Sequence, residues 1–167
     1  MNKLTECPFP RVFPSQLEKN DEFYMQLAYN ESITAWENDE VPVGAVIVDS
    51  VGEVIASSHN QTRKCKDPTA HAEMLAIQTA MAKTGLSRLD KYDLWVTLEP
   101  CTMCAGAISH ARIRRLYFAA YDEKSGAVES GVRFFDSPSC HHSPEIYGGI
   151  GSSKAAALMR GFFATKR

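Results

Sequence analysis

Residues 93–104 read DLWVTLEPCTMC, an apolar run followed by a proline and a C-x-x-C motif. Such a short apolar run, closed by a proline, predicts a buried strand over Asp93–Leu98. Pro100 predicts the start of a helix, because the first turn of a helix has no use for the N–H group that proline lacks. The C-x-x-C spacing then places the sulfurs of Cys101 and Cys104 at the first turn of that helix, where its positive end stabilises thiolates.

The segments on either side of this stretch alternate between helical and extended patterns. In chain order they predict a helix over 21–38, a hairpin of strands over 43–49 and 53–57, a helix over 70–83, strands over 116–120 and 145–147, and a helix over 152–165. This alternation indicates a layered α/β fold. We expect residues 1–20 to be an irregular leader and residues 21–167 to form a single domain, since no linker or repeat divides the chain.

The composition is that of an ordinary globular protein, with 44% hydrophobic and 23% charged residues and a formal net charge of −2. No apolar run approaches the roughly 20 residues that span a bilayer, and the N-terminus lacks the apolar stretch of a signal peptide. Five cysteines without an export signal favour free thiols or metal ligands over disulfides. The sequence therefore predicts a cytoplasmic protein with no membrane partner.

The motif His71-Ala72-Glu73 lies 30 positions before Cys101. One imidazole and two thiolates favour zinc over magnesium or calcium, and three protein ligands leave the fourth zinc position open for water. Zinc lowers the pKa of bound water from about 15.7 toward 7. Because two thiolates weaken the metal as a Lewis acid, a neighbouring base is needed, and Glu73 is the candidate. His71 and Glu73 can converge only if His71 sits at an irregular helix entrance, which Pro68 favours.

The same motifs also allow a closed structural zinc clamp. In that alternative a fourth ligand comes from elsewhere in the chain, and Glu73 is an ordinary carboxylate at the start of a helix. The candidates for that ligand are Cys65, His110, Cys140, His141 and His142.

Longer blocks around these motifs resemble bacterial tRNA-specific adenosine deaminases of the cytidine deaminase superfamily. The blocks are EVPVGAV (40–46), DPTAHAEM (67–74), VTLEPCTMCAGA (96–107), YDEKSG (121–126) and FF (162–163). H-x-E with P-C-x-x-C marks the superfamily, and the longer blocks point to the tRNA enzymes. The resemblance implies a three-layer α/β/α fold around a five-stranded mixed sheet. It also implies zinc held by His71, Cys101 and Cys104, with Glu73 as proton shuttle.

The activity implied by the resemblance is hydrolysis of adenosine to inosine at the wobble position of a tRNA anticodon. An anticodon-loop base is already unpaired, so its extrusion costs little. The implied partners are the anticodon stem-loop and a second copy of the chain, with the active sites near the interface of a homodimer. His141 stands where such enzymes carry an asparagine, which leaves one contact to neighbouring anticodon bases open. The residues implied to contact substrate are Val43 with the segment to Ala45, Asn60, Leu98, Asp122, Lys124, Phe163 and Arg167.

Charge gives only local support for an RNA partner, because the whole chain is not basic. Two stretches without acids are basic, residues 105–121 and residues 154–167, and both could equally be solvated faces. Two alternative functions stay open. One is a deaminase of free bases or nucleosides such as guanine or cytosine, which would need no basic C-terminal helix. The other is a non-catalytic RNA-binding zinc subunit, against which Glu73 argues.

Overall fold

The computed structural model describes residues 6–167, so the first five residues of the predicted leader lie outside the described part. Its elements are α1 Asp21–Glu37, β1 Gly44–Val48, β2 Val54–His59, α2 Ala72–Thr84, β3 Asp93–Leu98, α3 Thr102–Ala111, β4 Arg115–Ala120, a 3-10 turn Phe134–Asp136, β5 Glu145–Gly148 and α4 Ser152–Ala164. The strands form one sheet in the order β2-β1-β3-β4-β5. β1 is antiparallel to both of its neighbours, whereas β3, β4 and β5 are parallel. The predicted five-stranded mixed sheet is confirmed.

Helices cover both faces of this sheet, and β1 shows why. Ala45 and Ile47 belong to the core beneath α2 and α3, whereas Val46 and Val48 belong to the core beneath α1 and α4. Successive side chains of a strand point to opposite faces. A strand that is apolar and buried at every position must therefore lie between two helical layers.

α1 lies very close to the sheet at Gly44. A Cβ atom at this position would lie 2.0 Å from the carbonyl oxygen of Ala28 and 2.6 Å from the amide nitrogen of Ser32. Only glycine fits there, and this brings the start of β1 directly under α1. The amide of Gly44 also donates a hydrogen bond of 3.1 Å to Thr97 Oγ1, near the end of β3.

The prediction that Pro100 opens α3 is wrong, because the backbone stays extended through Cys101. The Pro100 carbonyl accepts a 2.9 Å hydrogen bond from the amide of Ala127, and Cys101 pairs with Gly126 in an isolated β-bridge. These contacts hold Cys101 at φ −73° and ψ 174°, so it caps the helix and Thr102 is the first helical residue. The other predicted boundaries differ from the observed ones by two residues or fewer.

Residues 6–20 contain neither helix nor strand, and they lie along α1. The ring of Phe9 lies 6.0 Å from that of Trp36, and Arg11 forms a two-point hydrogen-bonded pair with Glu37 at 2.6 and 3.0 Å. This part of the leader is thus fastened to the last turns of α1. Within the described residues, no helix is long and apolar enough to cross a membrane.

Candidate active site

Three side chains with metal-ligand chemistry converge where α2 and α3 begin. His71 precedes α2 in an extended conformation, Cys101 precedes α3, and Cys104 lies in the first turn of α3. Nδ1 of His71 lies 3.7 Å from Sγ of Cys101 and 3.5 Å from Sγ of Cys104. All three ligand atoms lie within 4.8 Å of one another. Since β3 leads directly toward Cys101, the cluster stands at the carboxyl end of the central strand.

The spacing of these atoms fits a tetrahedral zinc ion. Zinc bond lengths of about 2.3 Å to sulfur and 2.0–2.1 Å to nitrogen imply nitrogen–sulfur separations of about 3.6 Å around a tetrahedral centre. The two observed separations lie on either side of that value. Two sulfurs and one imidazole nitrogen are also the donors that favour zinc over magnesium or calcium.

In the described part of the chain, no fourth His, Cys or acidic residue joins the cluster. Cys65 is exposed, and the thiol of Cys140 donates a 3.0 Å hydrogen bond to the carbonyl of His142. His110 and His141 line a separate surface pocket. The residues that a closed clamp would need are therefore placed elsewhere, and the arrangement is that of an open site.

The two thiols have opposite pKa shifts because one hydrogen bond joins them. The bond from Cys104 lowers the pKa of Cys101 to about 4, although burial opposes this shift. The pKa of Cys104 is raised, first by the same bond and then by burial. The pKa of His71 is raised, chiefly by its hydrogen bond to Cys101. A metal ion bound here would displace the shared proton, because thiolates and neutral imidazole are the ligand forms.

Glu73 lies in the first turn of α2 and is only 4% exposed. It does not belong to the group of ligand atoms formed by the histidine and the two cysteines. Burial raises the pKa of Glu73 to about 7, against the opposing effects of its own backbone amide and of His71. The structure therefore places a second kind of group, a buried carboxyl, beside the three candidate metal ligands.

Asn60 lies between the ends of β1 and β2 on one side and the approach to α2 on the other. Its amide donates a 3.0 Å hydrogen bond to the carbonyl of Val43, and the next amide, that of Gln61, donates to the carbonyl of Ala70. Asn60 is 7% exposed, yet its side-chain amide makes no hydrogen bond within the described residues. A nearly buried amide without an internal partner is suited to pair with the polar edge of a ligand.

Asp122 and Lys124 lie on the loop that follows β4. Oδ1 of Asp122 accepts hydrogen bonds of 3.1 and 3.0 Å from the amides of Lys124 and Ser125, which closes a tight turn. The amide of Asp122 donates a 3.1 Å hydrogen bond to Oε1 of Glu99. Glu99 directly follows Leu98, the half-buried last residue of β3. This loop therefore borders the segment that carries the metal ligands.

Sequence analysis gave no role to Glu40 and Glu99, which are only 1% and 2% exposed. Glu40 accepts hydrogen bonds of 3.2 and 2.8 Å from the amides of Arg63 and Lys64, and it anchors the loop that leads toward His71. A signal was present in the sequence, since each acid lies next to an apolar residue and within two positions of a proline. Burying a carboxylate in an apolar segment costs free energy unless protein groups donate hydrogen bonds to it.

The two phenylalanines near the C-terminus have different surroundings. Phe162 is 5% exposed, and its ring packs 5.4 Å from that of Trp36, so it belongs to the core. Phe163 is 46% exposed, and Arg167 is exposed as well. The end of α4 thus presents the ring of Phe163 and the guanidinium of Arg167 to solvent.

The first basic stretch does not form a patch at the site. Arg114 donates hydrogen bonds of 2.9 and 2.7 Å to the carboxylate of Asp93, and Arg115 donates one of 2.9 Å to Glu145. These pairs lie where β3, β4 and β5 begin. The cluster of candidate metal ligands lies at the other end of these strands. The charges of these pairs are compensated locally, as in a solvated face.

Comparison with known proteins identifies the family. The family model of the cytidine and deoxycytidylate deaminase zinc-binding region matches residues 18–120. The tRNA-specific adenosine deaminase of Agrobacterium fabrum is 57% identical over 144 residues, which cover 86% of this chain and 94% of that protein. The chain belongs to the tRNA-specific adenosine deaminases. This membership confirms the resemblance seen in the sequence and makes the protein an enzyme, a deaminase of a zinc-dependent hydrolase family.

Solved structures agree with the fold of this deaminase. One, from a study of A-to-I editing by tRNA:A34 deaminases at the wobble position of transfer RNA, matches with a TM-score of 0.79 and 57% identity. The match covers 81% of this chain and 97% of that one. A guanine deaminase from Nitrosomonas europaea matches with a TM-score of 0.76 over 96% and 91% of the two chains, at 23% identity. That second likeness concerns the fold alone.

Proposed function

We propose that this deaminase converts adenosine to inosine by hydrolysis at the wobble position of a tRNA anticodon. The observation that carries the proposal is an open three-ligand site beside a buried glutamate, in a chain that is 57% identical over 144 residues to a tRNA-specific adenosine deaminase. In the overall reaction, adenosine and water give inosine and ammonia.

His71, Cys101 and Cys104 are the residues that would hold the zinc ion, one ion per chain. When bound, zinc supplies the Lewis acidity that lowers the pKa of water at its open position. The protein supplies the orientation of the ligands. The start of α2 fixes the imidazole, and the start of α3 fixes both sulfurs.

Glu73 moves the protons. It takes one from the attacking water as the water oxygen adds to C6 of adenine, and it delivers that proton to N1. A second transfer carries the remaining proton of the added oxygen to the exocyclic amine. The C6–nitrogen bond then breaks, ammonia leaves, and C6 becomes the carbonyl of inosine. A single carboxyl close to the ligands suits both transfers, because general acid–base catalysis needs the group within hydrogen-bond reach of the reacting atoms.

Substrate recognition in this proposal involves two groups of residues. The base pocket is supported by the side-chain amide of Asn60, which has no hydrogen-bond partner among the described residues, and the RNA contact by the exposed ring of Phe163. Stacking of a base on an aromatic ring contributes about 1–3 kcal/mol. The pocket residues are Val43, Asn60 and Leu98, and the residues in contact with RNA are Asp122, Lys124, Phe163 and Arg167.

We further infer that the enzyme is a homodimer that acts in the cytoplasm. The outer face of α3, beside the site, carries the half-buried residues Met103, Gly106 and Ala107. A Cβ atom added at Gly106 would meet nothing within 4 Å. An open apolar face of this kind suits contact with a second subunit. Light scattering after size-exclusion chromatography measures the molar mass, which should be that of two chains. The five free thiols agree with a reducing compartment.

The test of the proposed function is to incubate the purified chain with an anticodon stem-loop that carries adenosine at the wobble position. Reverse transcription and sequencing then report inosine as guanosine. A stem-loop with the adenosine moved one position along the loop is the matched control and should stay unmodified. Ammonia release from guanine or cytosine, without conversion of the stem-loop, would instead support a free-base deaminase. An RNA that is bound but never converted would support the non-catalytic subunit.

A further inference from the structure

Glu99 is a buried carboxylate whose hydrogen-bond partners all come from one loop. Oε2 accepts bonds from the amides of Val128, Glu129 and Ser130 at 3.1, 2.9 and 2.9 Å. Oε1 accepts bonds from the amide of Asp122 at 3.1 Å and from the hydroxyl of Ser130 at 2.9 Å. All five partners are neutral donors, and four of them are backbone amides. The carboxylate therefore organises a loop, and it does so without a cationic partner in the described residues.

The same loop is packed against the segment that carries the metal ligands. Gly126 pairs with Cys101 in a β-bridge. A Cβ atom at Gly126 would lie 2.6 Å from Cδ of Glu99 and 2.4 Å from the carbonyl oxygen of Asp122. Because only glycine fits between these groups, the loop backbone packs directly against the Glu99 carboxylate.

We propose that Glu99 is a positioning residue for the RNA substrate, because its carboxylate holds the 122–130 loop and thereby fixes Asp122 at the edge of the active site. The identity of the substrate rests on the proposed function. Asp122 cannot be fixed by its own side chain, since its Oδ1 atom is used to close the turn with Lys124 and Ser125. The bond from the Asp122 amide to Glu99 ties the start of this turn to the end of β3.

Replacement by glutamine tests this tie selectively. The amide oxygen of a glutamine at position 99 is best placed facing the three amides that Oε2 now accepts. Its NH2 group then faces the hydroxyl of Ser130 and the amide of Asp122. A hydroxyl can turn and accept a hydrogen bond, but a backbone N–H cannot. In Glu99→Gln, the NH2 group of the glutamine and the N–H group of Asp122 therefore face each other as two donors. The other hydrogen bonds between residue 99 and the loop are kept.

The experiment compares kcat and KM on the anticodon stem-loop for the wild-type chain, Glu99→Gln and Asp93→Asn. Asp93 is a buried carboxylate paired with Arg114 at the opposite end of the sheet, so Asp93→Asn controls for lost stability. We expect Glu99→Gln to raise KM about tenfold or more, since hydrogen bonds to charged groups contribute on that scale. Its kcat should fall much less, and its zinc content should equal that of the wild type. Asp93→Asn should lower Tm and leave KM unchanged.

Two results would overturn the inference. One is a KM for Glu99→Gln within about twofold of the wild-type value. The other is a loss of kcat in step with Tm, as expected of a purely structural residue. Hydrogen exchange of the wild-type chain decides the point if Glu99→Gln does not fold. The amides of Asp122 and Glu129 must then exchange more slowly than that of the exposed neighbour Glu123. A wild-type chain that leaves the stem-loop unmodified contradicts the proposed function instead, and the exchange measurement still shows whether Glu99 holds the loop.

Discussion

His71 and Cys101 occupy the same kind of backbone position, the last extended residue before a helix. Their ψ angles of 153° and 174° turn both side chains away from the helices they precede and toward each other. Unpaired amides at the two helix starts give this region a positive potential, which stabilises thiolate and carboxylate groups. Local backbone geometry thus brings two of the three candidate metal ligands together.

Glu73 gives the sharpest prediction at the scale of single residues. Glu73→Gln keeps the size and burial of the side chain but removes its capacity to carry protons. We expect turnover to fall at least ~10²–10⁴-fold, because one group makes both transfers. Zinc content should not change, since Glu73 is not among the ligand atoms of the cluster. Inosine formation and metal analysis on the same preparation check this, and loss of the metal would refute the assigned role.

The cysteines allow a second prediction at this scale. Cys101→Ala and Cys104→Ala should each release zinc and abolish activity, because each removes one of the three proposed protein ligands. The exposed Cys65 provides the matched control, and Cys65→Ala should keep both zinc and activity. Cys140→Ala should also keep zinc, although it loses the hydrogen bond to the carbonyl of His142. Zinc loss from either control would favour the closed clamp.

At the scale of elements, the sequence predicted most of the sheet and the helices, because apolar periodicity reports burial directly. β3 was predicted to the residue, whereas α3 begins later than Pro100 indicated. The reason lies outside the local sequence, since the Pro100 carbonyl is held by the amide of Ala127. The role of Glu99 could not be predicted for the same reason, as its partners lie 23 to 31 residues further along the chain. Hydrogen bonds over such separations leave no periodic pattern.

The adjacent residues Phe162 and Phe163 at the end of α4 allow a prediction in which each variant is the control for the other. Phe163→Ala should weaken stem-loop binding at every salt concentration, because base stacking does not depend on the release of counterions. It should leave Tm nearly unchanged, since the ring is 46% exposed. Phe162→Ala should do the reverse, because that ring packs against Trp36 in the core. Binding titrations at two salt concentrations and thermal melts of both variants give the answer, and equal affinities for the wild type and Phe163→Ala would rule out the contact.

At the scale of the whole molecule, ion pairs lie at both ends of the sheet. At the end of the sheet opposite the site, Arg114 and Arg115 are paired with acids. At the other end, Asp39 pairs with both Arg63 and Lys166, and it connects the loop that follows β2 with the end of α4. Two cations from distant parts of the sequence therefore meet at one carboxylate, although the chain carries a net charge of −2. A total charge does not reveal such a local arrangement.

Zinc removal tests whether the metal also holds the molecule together. The ion would join the start of α2 to the start of α3, two elements whose ligands lie about 30 residues apart in the sequence. A ligand that binds only the folded state stabilises it by about 4 kcal/mol at 1,000 times its Kd. In a chain of this size each kcal/mol corresponds to roughly 2–4 °C in Tm. Chelation should therefore lower Tm by roughly 8–16 °C and abolish inosine formation together.

Added zinc should restore both, whereas magnesium should restore neither, because the site offers sulfur and nitrogen donors. Cys101→Ala is the control, since its Tm should not respond to the chelator. If metal analysis shows that zinc is gone while Tm stays at its original value, the ion has no part in holding the two helices together, and α2 and α3 must be fixed by their packing on the sheet alone.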